Sequence, residues 1–283
     1  MYLSGFAHAP YLMVKPESDL ENIKPDFLEN KYTVRLSGEY DEVFLNKFVQ
    51  KFNNVKNLDI GNKFGGERDN SFIYDLLNLE VLVISLYRDS DFILDCSKLP
   101  KSQYSLNINI WSKKKIIKIE QLNETNLEHL YISDFDEKDL SVISTLTNLK
   151  SLSITRSKIK SLKGIENLIN LEYLSLGAVR SLVDISDIVA CKKLKRIDFD
   201  ICWKLQDYSP IGELKEMEIL ELQDCKSLAS IKFVEQLPKL KRLIALGTTV
   251  INDFDTTPAE NVAVFWGSYK AEYNKHYPEK EIK

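Results

Sequence analysis

A repeat of 21 to 24 residues runs through most of this 283-residue chain and constrains its fold more than any other feature. Each copy follows the pattern L-x-x-L-x-L, and the clearest copies begin at Leu149, Leu171, Leu194, Met217 and Leu240. A further copy begins at Leu127, weaker copies begin at Lys31, Val55, Leu79 and Gln103, and a last strand begins from Asn261. A fixed period of this length is typical of a solenoid in which each unit stacks on the next, so we predict about eleven coils.

Each coil combines a strand with a tight return. The alternating apolar positions of the pattern indicate a short parallel strand with one buried side. Apolar residues then recur at every third position in a segment rich in serine and lysine, as at Ile159, Leu162, Ile165 and Leu168. This spacing favours short 3-10 turns or extended segments over a long helix. We therefore predict an α/β solenoid, a horseshoe or arc with a concave parallel β-sheet of about eleven strands, short convex segments and a cap at each end.

Residues 149–239 closely follow the longer pattern L-x-x-L-x-L-x-x-N-x-I-x-x-I-x-x-L-x-x-L, and residues 31–148 follow it loosely. In this the chain resembles the leucine-rich-repeat family, specifically the subclass of about 22 residues per repeat found in bacterial internalins and in a phosphatase-regulating eukaryotic protein. The chain departs from the pattern at the asparagine position, which holds Ser157, Val179, Cys202 and Cys225. The resemblance indicates a specific fold, but it says much less about function.

We predict a single domain over residues 1–283. Residues 1–30 form an N-terminal cap, residues 31–260 form the repeats, and residues 261–283 form a last strand and a C-terminal capping helix. The helix is suggested by an aromatic series that includes four-residue intervals: Trp266, Tyr269, Tyr273 and Tyr277.

Charge and hydropathy exclude several classes of partner. The net charge of −4 and the pI of about 5.6 argue against general binding to nucleic acid or to an anionic membrane. No stretch approaches the ~18 apolar residues of a membrane-spanning helix. The first residues have no cation before Lys15, and they carry His8 and Pro10 where a signal peptide would be apolar. We therefore expect a cytoplasmic protein.

The sequence contains no recognisable catalytic or metal-binding constellation. The three histidines are far apart along the chain, and the segment from Gly61 to Gly66 lacks the G-K-[ST] ending of a phosphate loop. Asp198 and Asp200 would lie on an open sheet, which lacks the enclosed pocket that makes paired carboxylates catalytic. We expect no enzymatic activity, no cofactor and no metal. The cysteines, which form no C-x-x-C pair, are expected to be reduced structural thiols: Cys96, Cys191, Cys202 and Cys225.

The outward positions of the predicted strands supply the candidate binding residues, because they stack in columns on the concave sheet. Tyrosine and arginine, which are favoured at binding hot spots, recur among them. Four of them, Asp198, Asp200, Glu221 and Asp224, form an acidic block. The block is either relieved by the neighbouring arginines or kept for a cationic partner. The predicted partner-binding residues are His129, Tyr131, Arg156, Tyr173, Arg196, Asp198, Asp200, Glu221, Asp224 and Arg242.

The earliest coils have apolar outward positions at Val81, Val83, Leu86 and Ile110. We expect either a different register there or strands that are covered, in preference to an exposed hydrophobic patch.

These observations predict a non-enzymatic module that holds a partner protein on its concave face. Since no anchor or second domain is evident, we expect binding itself to be the effect, as in a cytosolic inhibitor or immunity protein that neutralises a bacterial toxin. The Lys/Ile/Asn-rich composition points to bacteria, and an acidic face would attract a basic toxin domain such as a nuclease. The alternative is an adaptor or regulatory subunit of a cytosolic enzyme. A surface adhesin would need a signal peptide and an anchor.

Overall fold

The computed structural model describes residues 11–23, 32–61, 70–85 and 91–277. The chain forms two compact units, Met1–Ser133 (unit 1) and Asp134–Lys283 (unit 2). That both act as one domain stays a prediction. Leu86 and much of the predicted N-terminal cap lie outside the described residues. No helix among the described residues has the length and apolar character needed to cross a bilayer.

Unit 1 contains a ladder of parallel strands: β1 (Tyr11–Val14), β2 (Thr33–Leu36), β3 (Asn57–Ile60), β4 (Val81–Ile84), β6 (Ser105–Ile108) and β8 (His129–Ser133). Two short strands, β5 (Leu94–Asp95) and β7 (Ile116–Ile117), pair with each other on the return side. The helix α1 (Glu42–Lys51) begins at Asp41, whose carboxylate accepts a hydrogen bond from the Phe44 amide. The 3-10 turns within the described residues of unit 1 are Leu20–Asn22, Asn70–Asp75, Cys96–Lys98 and Ile119–Glu124.

Unit 2 repeats the same plan with less variation. Its parallel ladder consists of β9 (Ser151–Thr155), β10 (Tyr173–Gly177), β11 (Arg196–Asp200), β12 (Ile219–Gln223), β14 (Arg242–Leu246) and β16 (Val264–Gly267). The short strands β13 (Ser227–Leu228) and β15 (Val250–Ile251) pair with each other. The returns are 3-10 turns, as expected: Ser141–Ile143, Ile165–Asn167, Ser186–Ala190, Ser209–Glu213, Lys232–Gln236 and Thr257–Ala259.

Equivalent residues of successive coils stand directly opposite one another. Leu174 pairs with Leu152 on one side and with Ile197 on the other, and all three are fully buried. The inward positions therefore form a continuous apolar core, and the predicted solenoid with a parallel sheet is confirmed. The predicted register also holds in unit 1, where Leu58 pairs with Leu82. The outward Val83 is only 7% exposed, so there is no exposed apolar patch at this position.

Both ends of the predicted repeat require a correction. The segment assigned to the N-terminal cap contains β1, whose Val14 is buried and pairs with Leu36. The predicted register of the last strand is wrong by one residue, because it turns Val264 and Trp266 inward. In the structure Phe265 pairs with the inward Leu243, and Trp266 pairs with the outward Ile244. Because strand side chains alternate, a shift of one residue moves Trp266 from the core to the open face.

The predicted C-terminal capping helix is wrong for residues 268–277, which form a turn and irregular segments. Side-chain hydrogen bonds tie this segment to the last return loop. The Tyr273 hydroxyl accepts a hydrogen bond from the Ile251 amide at 3.1 Å, and the Tyr277 hydroxyl donates to the Thr256 carbonyl at 2.9 Å. The aromatic residues therefore cover the last coil through these bonds instead of through one face of a helix.

Serine or cysteine replaces the expected asparagine at the bend after β9, β11 and β12, whereas Val179 holds this position after β10. Ser157 donates to the Phe135 carbonyl at 2.7 Å, and the Cys225 thiol lies 3.4 Å from the Phe199 carbonyl. All four cysteines are free and buried. Serine and cysteine thus satisfy carbonyl groups that the bend leaves without a partner in the sheet.

The residue that follows each of the four strands from β9 to β12 has a left-handed backbone. It is Arg156 after β9, Ala178 after β10, Ile201 after β11 and Asp224 after β12, all with φ between 50 and 57°. Each amide still donates across the coils, as Arg156 does to the Gly177 carbonyl at 2.8 Å. This left-handed residue ends the run of outward strand side chains and begins the segment that leads into the return. It therefore decides which side chains lie on the sheet and which lie beyond the ends of the strands.

We predict that Gly164→Ala destabilises unit 2 by about 2 kcal/mol or more. Gly164 has φ of 100°, and a Cβ there would lie 2.6 Å from the carbonyl carbon of Leu140. The matched control is Gly177→Ala, whose Cβ would lie 3.2 Å from a Thr155 methyl group on a backbone without positive φ, so its cost should stay below about 1 kcal/mol. Urea unfolding measures both values, and equal costs would contradict the steric argument.

Candidate functional site

The outward side chains of β9, β10, β11, β12 and β14 form the unit 2 face. The register arranges them in columns that run across the strands. Most of these side chains are half-buried, whereas most of the alternating inward ones are fully buried. The columns are Ser151–Tyr173–Arg196–Ile219–Arg242, Ser153–Ser175–Asp198–Glu221–Ile244 and Thr155–Gly177–Asp200–Gln223–Leu246.

A connected set of charged and phenolic groups occupies the centre of this face. The Arg196 Nε lies 2.8 and 3.0 Å from the two carboxylate oxygens of Asp198, and an Arg196 terminal nitrogen lies 3.3 Å from Glu221. Glu221 also pairs with Arg242 at 3.7 Å. The Tyr173 hydroxyl donates to Asp198 at 2.8 Å. We call these five residues the Arg196 network.

The Arg196 network is neutral and preorganised. Two arginines balance two carboxylates, and the side chains of Arg196 and Asp198 are only 18% and 20% exposed. Burial, followed by the charge of Asp198, raises the pKa of Tyr173 to about 12, so its hydroxyl keeps the proton that it donates to Asp198. Half of the predicted acidic block is therefore relieved by the arginines beside it.

The other two acidic residues have different environments. Asp224 accepts a hydrogen bond from the Thr248 amide at 2.9 Å, and this bond ties it to the next coil. Asp200 is half-buried, and its carboxylate makes no hydrogen bond or ion pair within the part of the chain that the structure describes. Burial, followed by the charge of Asp224, raises the pKa of Asp200. On the β10 side its neighbour is Gly177, which leaves the carboxylate uncovered by a side chain.

The remaining predicted residues lie apart from this network. Arg156 pairs with Asp134 at 2.7 Å just beyond the end of β9. His129 and Tyr131 belong to unit 1, where His129 Nε2 lies 2.7 Å from the hydroxyl of Tyr104. Tyr131 is half-buried on β8. All the other predicted residues lie in unit 2.

Sequence reasoning missed several residues at the margins of the face. Trp266 lies on the open side of β16, opposite Ile244, and is 36% exposed. At the edge beyond the strand ends, Trp203 is 38% exposed and contacts Arg180 and Lys226. The signal for the second group was in the sequence, because these three residues recur at 23-residue intervals, one period apart.

Comparisons with known proteins agree with the fold. Residues 149–243 match the family model of the leucine-rich-repeat domain of the endo-β-N-acetylglucosaminidase EndoS. No curated protein sequence matches the chain. Among solved structures, the internalin InlF of Listeria monocytogenes superposes with a TM-score of 0.62 at 22% identity, covering 91% of this chain and 73% of that one.

Two further structures are similar. The functional domain of InlJ from Listeria monocytogenes, which includes a cysteine ladder, has a TM-score of 0.59 at 16% identity and covers 90% of this chain and 57% of that one. The leucine-rich-repeat domain of the type III effector XopL has a TM-score of 0.51 at 19% identity and covers 76% of this chain and 77% of that one.

The stacked coils, the parallel sheet and these matches define an open α/β solenoid of the leucine-rich-repeat class. Within that class the fold of the chain is similar to that of the internalins InlF and InlJ. Proteins of this class are in general protein–protein interaction modules without enzymatic activity, and their extended surfaces bind other chains.

We predict that two aspartates of β11 respond oppositely to the same substitution. Asp198→Asn should destabilise unit 2 by about 1–2 kcal/mol, because it leaves the half-buried Arg196 without its closest carboxylate. Asp200→Asn should stabilise it by less than about 1 kcal/mol, because it removes an unpaired charge that is partly screened by solvent. Urea unfolding at pH 7 measures both changes.

The gain from Asp200→Asn should also depend on pH. Because the folded state raises the pKa of Asp200, its charge disfavours folding above that pKa and stops doing so once the carboxyl is protonated in both states. The gain should therefore vanish near pH 3. A loss of stability at pH 7 would instead show that Asp200 has a stabilising partner.

Proposed function

We propose that this chain is a non-enzymatic protein-binding module and that the unit 2 face holds the partner. The Arg196 network carries the proposal. Tyrosine and arginine side chains contribute much of the energy at protein interfaces. Here Tyr173 and Arg196 are already fixed by Asp198, so less conformational entropy is lost when a partner binds.

The unpaired carboxylate of Asp200 defines the chemistry of the partner. An arginine or lysine side chain placed over Gly177 would reach Asp200 and offset the repulsion between Asp200 and Asp224. The net charge of −4 adds a weak long-range attraction for a basic partner. A partner with a basic contact surface therefore fits this face.

The same contacts argue against acid–base catalysis by the paired carboxylates. Asp198 accepts hydrogen bonds from both Arg196 and Tyr173, so its oxygens are occupied by the protein itself. Asp200 is beside it on an open strand surface and not in an enclosed pocket. A catalytic carboxylate pair needs a water-excluding site that separates the two pKa values.

The specific role that we propose is a cytoplasmic inhibitor or immunity protein of bacterial origin that neutralises a basic toxin domain, such as a nuclease. The Lys/Ile/Asn-rich composition supports the bacterial origin. The outward carboxylate and the negative net charge support a basic target. Neutralisation by occlusion needs no chemistry beyond tight binding, which a preorganised face provides.

We predict that the partner can be identified by affinity capture from a lysate of the native organism and that its binding depends on Asp200. Asp200→Arg should weaken the affinity at least tenfold, because a fixed charge would repel the basic side chain that docks there. The matched control is Glu213→Arg, which makes the same charge change at an exposed 3-10 turn on the return side. Calorimetry with the purified partner measures both affinities.

The identity of the captured protein tests the specific role. A toxin domain whose toxicity is suppressed by co-expression of this chain would support the immunity function. A cytosolic enzyme whose activity changes on binding would replace it with the adaptor function. Equal losses for Asp200→Arg and Glu213→Arg, or no loss for either, would remove the unit 2 face from the proposal.

A further inference from the structure

A row of side chains lies at the edge of unit 2, two residues after each left-handed turn. Its members, which we call the edge row, are Asp136, Lys158, Arg180, Trp203 and Lys226. Each comes from one coil, so neighbours in the row come from adjacent coils. The row is separate from the unit 2 face because the left-handed turn lies between them.

Trp203 is held between two cations. The guanidinium carbon of Arg180 lies 4.6 Å from the centre of the indole ring, and the ammonium of Lys226 lies 4.3 Å from it. Arg180 belongs to the coil before Trp203 and Lys226 to the coil after it, so the ring stands between them. Both contacts are within the range in which an aromatic ring attracts a cation. The three side chains are therefore brought together at one point of the edge.

This positive charge is not neutralised within the described part of unit 2. Lys158, two coils before Trp203, pairs with Asp136 at 3.2 Å. A cation of the edge row therefore forms an ion pair where the neighbouring coil supplies a carboxylate. Arg180 and Lys226 have no carboxylate partner among the described residues, and no described acceptor bonds the Trp203 indole N–H. Two cations and one hydrogen-bond donor are thus presented together.

The backbone at Lys226 provides an independent observation. Lys226 has φ of 62°, whereas its equivalents Lys158, Arg180 and Trp203 do not have positive φ. A left-handed conformation is uncommon for a residue other than glycine, and such strain is concentrated at functional sites. Here it coincides with the placement of the Lys226 ammonium over the ring, and it occurs two residues after the left-handed Asp224.

We propose that Arg180, Trp203 and Lys226 form a second binding site, which takes an acidic peptide segment. Coils of a parallel sheet are ~4.8 Å apart, so the two cations are about two spacings apart. Carboxylates separated by two or three residues on an extended chain, at ~3.3 Å per residue, span that distance. Charge-assisted hydrogen bonds from Arg180 and Lys226 would hold the carboxylates, and the indole would donate between them.

A peptide fits this site better than a nucleic acid does. Two cations match two carboxylates, whereas a nucleic acid gains affinity from a longer series of phosphate contacts. The net charge of −4 would also oppose a polyanion along the rest of the surface. The site uses different residues and the opposite charge from the unit 2 face, so it does not depend on the proposed function.

The test follows the indole N–H signal of Trp203 by two-dimensional NMR of the full chain. The chain has three tryptophans, and Trp203→Phe identifies the signal. We expect N-acetyl-tetraglutamate amide to shift it saturably, with an affinity that falls as salt rises from about 50 to 300 mM. Arg180→Gln with Lys226→Gln should weaken binding at least tenfold, whereas the control Lys158→Gln, in the same row, should leave it unchanged.

Several outcomes would overturn the proposal. These are the absence of a shift, an equal shift with tetralysine, and an unchanged affinity in the double variant. If inorganic phosphate at matched charge gives the same affinity, the site is a simple anion site. If a single-stranded oligonucleotide binds more tightly than the peptide, the partner class is wrong. Unchanged signals from Trp111 and Trp266 would show that the double variant is folded.

Discussion

The in-register stacking of equivalent residues in adjacent coils is the constraint on which the structure of each unit depends. One coil cannot bury its own apolar edge, so Leu174 is buried only because Leu152 and Ile197 stand on either side of it. The same register brings outward residues together. A charge on one strand of unit 2 has as neighbours whatever the sequence holds 22 or 23 residues before and after it, and the repeat therefore sets the electrostatics of the surface as well as the core.

Many charges of unit 2 are paired between neighbouring coils under this constraint. At the start of the strands the signs alternate between coils, and Lys195 pairs with Glu172 at 2.7 Å. On the face, Asp198 stands opposite Glu221, and Arg196 reaches both from the neighbouring column. Asp200 and the two cations around Trp203 are among the charges for which the described residues show no such partner. An unpaired charge costs stability when it is partly buried, as Asp200 is, and for this reason Asp200 points to binding. The two cations are exposed, and they point to binding because they flank one aromatic ring.

The period of the sequence predicted the strands, the inward residues and the columns of the face, because side-chain alternation and repeat length fix all three. The period failed at β16, because two registers would turn apolar residues inward there. One register turns Val264 and Trp266 inward, and the other turns Val262 and Phe265 inward. Periodicity cannot choose between them. The columns allowed the neighbouring arginines to relieve the acidic block, but they could not show which carboxylates Arg196 pairs, because the reach of one long side chain decides that. Trp203 was missed because it lies after the strand, in a segment where apolar periodicity predicts only a return.

The two unpaired features lie close together in the chain, since Asp200 ends β11 and Trp203 follows three residues later. If both take part in binding, the partner must present a cation to the face and carboxylates to the edge. A partner in the reversed orientation would place like charges against each other on both surfaces, and such contacts are strongly unfavourable. Adjacent sites of opposite charge would therefore select the orientation of the partner as well as its composition. A uniformly acidic surface would attract any basic protein and could not make that distinction.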